Sequence, residues 1–150
     1  MNYKYLALLL ISSIFIIAAA AQAYPIQIKS VTIRDYEGNV RTQFRRGEIV
    51  LIETELYYLT EYYYYYPGGV NYLEIITLWH DVFMYGLGVT QGTISSGQTK
   101  SFGAGIRIRY GDPTGTYRVK IFVWNGWPSI MGSNWKPLAE PYITEITVSP

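Results

Sequence analysis

The chain has 150 residues, a formal net charge of +1, 49% hydrophobic and 15% charged residues, and no cysteine. One domain fits that length, and low charge with high hydrophobicity excludes a disordered chain. No basic block leaves the footprint of a nucleic-acid partner, and without cysteine there is no disulfide frame, thiolate zinc site or haem attachment.

The first element in chain order is a targeting segment. In "MNYKYLALLLISSIFIIAAAAQAYP", Lys4 precedes an apolar run from Leu6 to Ala21, and Ala21-Gln22-Ala23 fits a small-x-small cleavage site. Residues 1–23 therefore read as a signal peptide and 24–150 as the mature domain. An uncleaved membrane anchor is the alternative, because about 20 apolar residues span a bilayer; a pilin-type helix is a third. Each reading expects an N-terminal hydrophobic helix and an extracellular or cell-surface domain, touching the membrane only through residues 1–23 if these are retained. Cleavage removes Lys4 and leaves 11 basic residues against 11 acidic ones.

After Ala23 no window carries a sustained helical stripe, and short runs rich in Val, Ile, Tyr and Thr recur between turn residues. Ile26–Ile33 is the first strand, with a slip of apolar phase at Lys29-Ser30 that predicts a bulge. "DYEGN" (Asp35–Asn39) is a turn, with Gly38 suited to positive φ. Val40–Phe44 pairs back briefly, and "RRGE" (Arg45–Glu48) turns again. Ile49–Leu59 and Tyr72–His80 are strong strands, Val82–Val89 continues the sheet, and "GTISSGQT" is expected as loop. Ser101–Tyr110 alternates Ile106 and Ile108 with Arg107 and Arg109, a half-buried strand. Thr116–Trp124 places Tyr117, Val119, Ile121 and Val123 on one face, and Tyr142–Val148 closes the chain. Seven or eight short strands predict an all-β, antiparallel immunoglobulin-like sandwich.

"DPTGTYRV" adds a specific sign. Its Tyr117 follows a turn holding Asp112 and Gly115, as in the tyrosine corner, where the hydroxyl bonds back to the preceding bend. Val119 stands where a disulfide-bonded relative has cysteine. With "FRRGEIVLIETEL", "GTYRVKIFVWNGW" and "WKPLAEPYITEITV", the chain resembles the fibronectin-III/CARDB-like β-sandwich domains of exported archaeal surface proteins, over Ile26 to Val148. The resemblance implies a sandwich at the cell surface and carries over no catalytic residues.

Chemistry is sparse. The single histidine, His80, ends a strand beside Asp81, and no nucleophile motif accompanies it. "DYEGN" has oxygens at Asp35, Glu37 and Asn39 but lacks the length and closing Glu of a calcium loop. Glu53 and Glu55 share one strand face and read as a solvent face opposite Val50 and Ile52. Neither an enzyme nor a metal or other cofactor is expected.

The aromatics remain: 16 Tyr and 4 Trp. One cluster is "YYLTEYYYYYPGG", Tyr57–Gly69. A single strand from Ile49 to Tyr66 would run roughly 60 Å, too long for a globular sheet. Tyr57 and Tyr58 therefore end the strand, and Tyr62–Tyr66 lie beyond it. The second cluster spans Trp124, Trp127 and Trp135 around a long loop. In an immunoglobulin-like sandwich these would be the B–C and F–G loops, which emerge at one end. Tyr62, Tyr63, Tyr64, Tyr65, Tyr66, Trp127 and Trp135 are thus candidate binding residues of an aromatic tip. A competing reading makes the tryptophans a cap that folds back over the sandwich. The expected function is a non-catalytic structural or adhesive surface protein that self-associates into a layer or filament. A carbohydrate-binding module using the tip is the alternative. The expected partners are protein, self or neighbouring subunits, or glycan.

Overall fold

The computed structural model describes residues 24–62 and 67–150. The expected N-terminal segment, residues 1–23, lies outside them. In chain order the elements are β1 (Ile26–Arg34), β2 (Gln43–Arg45), β3 (Ile49–Tyr58), β4 (Val70–His80), β5 (Phe83–Ile94), β6 (Thr99–Arg107), β7 (Gly115–Trp124), the single-turn helix α1 (Pro128–Met131) and β8 (Tyr142–Ser149). They form two sheets, β1-β3-β6 and β2-β8-β7-β4-β5, packed as a sandwich.

Period-two burial builds the layers. In β3, Val50, Ile52, Thr54, Leu56 and Tyr58 are buried, while Leu51, Glu53, Glu55 and Tyr57 are more open. In β7, Tyr117, Val119, Ile121 and Val123 are fully buried. β4 is an interior strand of the larger sheet, between β7 and β5, and is closed on both faces. Its Tyr72, Glu74, Ile76 and Leu78 share one face. On the other, Leu73, Ile75 and Thr77 stand among Trp79, Phe122 and Trp124 through their register with β7. The Trp79 indole donates to Thr77 Oγ1 (2.9 Å), and the Phe122 and Trp124 rings meet at 5.7 Å.

The expected local devices are present. The register of β1 shifts between Ile28 and Ser30, the predicted bulge. Gly38 has φ 91° in the Asp35–Asn39 turn, a conformation glycine adopts without strain. The Tyr117 hydroxyl donates to the Pro113 carbonyl at 2.7 Å, completing the tyrosine corner.

Three expectations need correction. β2 runs parallel to β8, so the sandwich is not wholly antiparallel. "GTISSGQT" is not all loop: β5 continues to Ile94 and β6 begins at Thr99. This long hairpin links the two sheets, and its strands approach so closely that a side chain at Gly86 or Gly88 would collide with Ile106 or Ala104. The last long loop contains α1, too short to leave a periodic signal.

The core divides in two. One cluster gathers Ile33, Phe44, Val50, Ile52, Ile76, Leu78, Tyr117 and their neighbours; the other gathers Ile26, Leu56, Tyr58, Tyr72, Val123 and Leu138. Between them the Thr54 hydroxyl donates to Glu74, a carboxyl with no solvent exposure. Burial pushes the Glu74 pKa above the ordinary range. Burial, with Glu74 nearby, pushes Tyr72 up to about 12.

Two predictions follow from this core. Tyr117→Phe is expected to lower the unfolding free energy by about 1–2 kcal/mol in chemical denaturation, through loss of one buried hydrogen bond; an unchanged midpoint would contradict the corner's role. Glu74, with its folded pKa raised, contributes fully below the ordinary carboxyl pKa of 4.5, and that contribution is lost as pH rises through the folded value. Glu74→Gln is therefore expected to gain stability relative to the parent as pH rises from about 4 to about 8. Parallel pH profiles of the two proteins would refute this.

Candidate functional site

The two long connections meet at one end of the sandwich. Leu73 of β4 lies opposite Trp124 of β7, so the chain entering β4 and the chain leaving β7 share that end. β3 ends at Tyr58, as the length argument requires, and a 3-10 turn follows over Thr60–Tyr62. Tyr62 is half-buried against the adjacent core cluster. Tyr63, Tyr64, Tyr65 and Tyr66 lie outside the described residues.

The loop after β7 is ordered by polar groups. Trp124 and Pro137 form an isolated bridge, and the Asn125 amide N–H donates to the Lys136 carbonyl at 3.1 Å. The Asn125 side chain closes the neck twice: Nδ2 donates to the Asn134 carbonyl (2.7 Å), and Oδ1 accepts from the Lys136 N–H (2.9 Å). Beyond the neck, Leu138 and Ala139 return into the core and are fully buried. These two residues, rather than Trp127 or Trp135, plug the end of the sandwich. The Leu138 carbonyl also accepts from the Ile26 N–H at 2.9 Å, tying the loop to β1.

The structure places the two candidate tryptophans differently. Trp135 is half-buried, edge-on to Trp124 at 5.3 Å. Trp127 is exposed and opens α1, its carbonyl accepting from Ile130 and Met131. Pro128 sits at the first helical position, where a missing N–H costs nothing.

Trp127 borders a groove of about 460 Å³. Leu73 and Met131 supply apolar surface; Asn71, Gln91, Thr93 and Asn125 supply polar groups. The Thr93 hydroxyl donates to Asn71 Oδ1 (2.7 Å), which orients the Asn71 amide. Every lining residue is uncharged. Amides and hydroxyls both donate and accept, so the groove matches a neutral polyhydroxylated ligand. Asn71, Gln91 and Thr93 were missed by sequence reasoning. Their signal, polar residues gathered at the end of the β4–β5 pair away from its hairpin turn, becomes visible only once the register is known.

Other grooves are less suited. One of about 570 Å³ at the far end is lined by charged groups already engaged. Arg41 bonds Glu48 (2.8 Å) and lies 3.2 Å from Asp35. Asn39 and Arg41 hold the Asp35 carboxyl below its ordinary pKa. Glu53 and Glu55 face outward and pair with Arg34 and Lys29. His80 lies against the Tyr117 and Tyr85 rings, 3.4 Å from the Asp81 carboxylate. No group of three or more metal-ligating side chains occurs among the described residues.

No protein-family model and no curated protein matches the sequence. Solved structures do match by fold. The C-terminal domain of Wzt superposes with a TM-score of 0.63 at 11% identity, covering 85% of this chain and 75% of that one. A beta-glucuronidase from glycoside hydrolase family 2 gives 0.58 at 14% identity, over 83% of this chain and 13% of that chain. A glycosyl hydrolase family 2 member from Bacteroides cellulosilyticus gives 0.57 at 7% identity, over 82% and 15%. The chain thus spans only a small part of either hydrolase. At these identities the likeness shows the β-sandwich fold alone.

Asn125→Ala is expected to loosen the loop. Amide hydrogen exchange at residues 126–136 should accelerate at least about tenfold, while the core amides of β3 and β7 stay protected. Unchanged exchange would show that Asn125 does not hold the neck.

Proposed function

We propose that this chain is an exported, non-catalytic surface domain that binds a carbohydrate chain in the groove beside Trp127. One observation carries the reading: a solvent-facing indole stands next to an uncharged groove furnished with amide and hydroxyl side chains. The C–H faces of a sugar pack against an aromatic ring, and its hydroxyls exchange hydrogen bonds with Asn and Gln. Leu138, Ala139 and the Asn125 clasp fix the loop in advance, which lowers the ordering cost of binding. Residues 1–23 support export, with the domain released or held at the cell surface according to whether they are cleaved. Sharing a fold with parts of two glycoside hydrolase family 2 proteins agrees with this reading and adds no residue-specific support.

The role is adhesive: the domain works by contact and leaves its ligand unchanged. The test is calorimetric titration with soluble neutral oligosaccharides selected on a glycan array. Trp127→Ala should weaken binding about tenfold or more, an effect of about 1.4 kcal/mol. Asn71→Ala combined with Gln91→Ala should weaken it further, and His80→Ala should leave it unchanged. Full affinity in Trp127→Ala would remove the groove from consideration.

A further inference from the structure

The flank of the sandwich between β1 and β8 is open. β8 pairs with β7 from Tyr142 to Val148, but its other edge meets β2 only over Thr147–Ser149. There the Thr147 N–H donates to the Thr42 carbonyl (2.8 Å), and the Ser149 carbonyl accepts from the Arg46 N–H (3.1 Å). By the alternation of a β ladder, Ile143 and Glu145 turn their N–H and C=O groups to the same edge. None of these groups has a partner among the described residues. Across the gap, among the described residues, β1 is bonded on its outer edge only near its two ends, Ile26 to Leu138 and Ile33 to Arg41.

Burial marks the same gap. Ile28 and Val31 pack on the core yet are only half-buried, as is Thr144, while Ile143 is 57% exposed. The edge carries a single charge, Glu145, and little other protection against pairing. "YITEI", Tyr142–Ile146, holds no lysine, no proline and no bulge.

We propose that this edge is a homotypic interface, in which β8 pairs antiparallel with β8 of a second copy about a twofold axis at Thr144. The free window runs from Tyr142, after Pro141, to Ile146, where β2 begins to cover the edge. It is centred on Thr144, so antiparallel self-pairing uses all of it. This arrangement sets Glu145 opposite Ile143 of the second copy, with Arg118 beside Glu145 on β7. Parallel in-register pairing would instead bring the two Glu145 carboxylates together, which is unfavourable. The isologous contact closes on itself and joins the two larger sheets into one. It is independent of the groove at Trp127.

The absence of cysteine makes the test clean. Thr144→Cys places a lone thiol at the axis in a non-hydrogen-bonded pair, with Cα atoms about 4.5 Å apart, within disulfide reach. Mild oxidation should give a disulfide dimer on non-reducing gels much faster than Ser101→Cys, an exposed control on the other sheet. Glu145→Pro removes only an outward N–H, so it should stay folded, with a cooperative thermal transition that no longer depends on protein concentration, while sedimentation shifts from dimer to monomer. Three results would each overturn the proposal: a parent that sediments as a monomer at every concentration, Thr144→Cys cross-linking no faster than the control, or a folded Glu145→Pro protein that remains dimeric. A parent monomer that dimerises only on adding an extended peptide would assign the edge to a foreign strand and reject self-pairing.

Discussion

Everything in this molecule depends on interdigitation of alternate side chains from β3, β4 and β7. With no disulfide to tie the sheets, the apolar faces of these central strands must supply the cohesion. Val119 stands mid-strand in β7, fully buried, as part of that face. One polar layer interrupts it. Glu74 and Thr54 meet between the sheets and separate the core into two clusters. A buried carboxyl is costly unless it is neutral and bonded; burial raises the Glu74 pKa and the Thr54 hydroxyl bonds Oε1, while Oε2 has no hydrogen-bond partner among the described residues.

The division of the core shapes the end that carries the long loop after β7. The cluster on that side is completed by Leu138 and Ala139, which arrive from the long loop after β7. Because Leu138 and Ala139 do the plugging, Trp127 is left open to solvent. Trp135 lies against Trp124 at the loop's neck. A rigid sandwich carrying a stapled loop is the usual way such folds present contact residues without moving their framework.

Local features were readable from the chain. The bulge at Lys29-Ser30, the Gly38 turn, the end of β3 at Tyr58 and the Tyr117 corner each reflect neighbours within a few residues. Features set by distant partners were not. β2 is three residues long and gains its place only from β8, about a hundred positions away in sequence. β5 reads as loop beyond Val89 because Gly92 suggests a break; in the structure Gly92 stays within the strand, close against the Tyr72 ring of β4. Glu74 looks like any strand carboxylate until β4 is seen to be an interior strand covered on both faces. The groove residues divide the same way. Trp127 was legible from aromatic clustering, whereas Asn71, Gln91 and Thr93 join it only through the pairing of β4 with β5.

The most direct test of the account is nuclear magnetic resonance of the isotope-labelled protein, titrated with neutral oligosaccharides. The Trp127 indole N–H and the Asn71 and Gln91 side-chain amides should shift together and saturate with one affinity, while the Trp79 indole stays still. Shifts confined to the three-stranded sheet or to the charged groove around Arg41, with Trp127 unmoved, would contradict it.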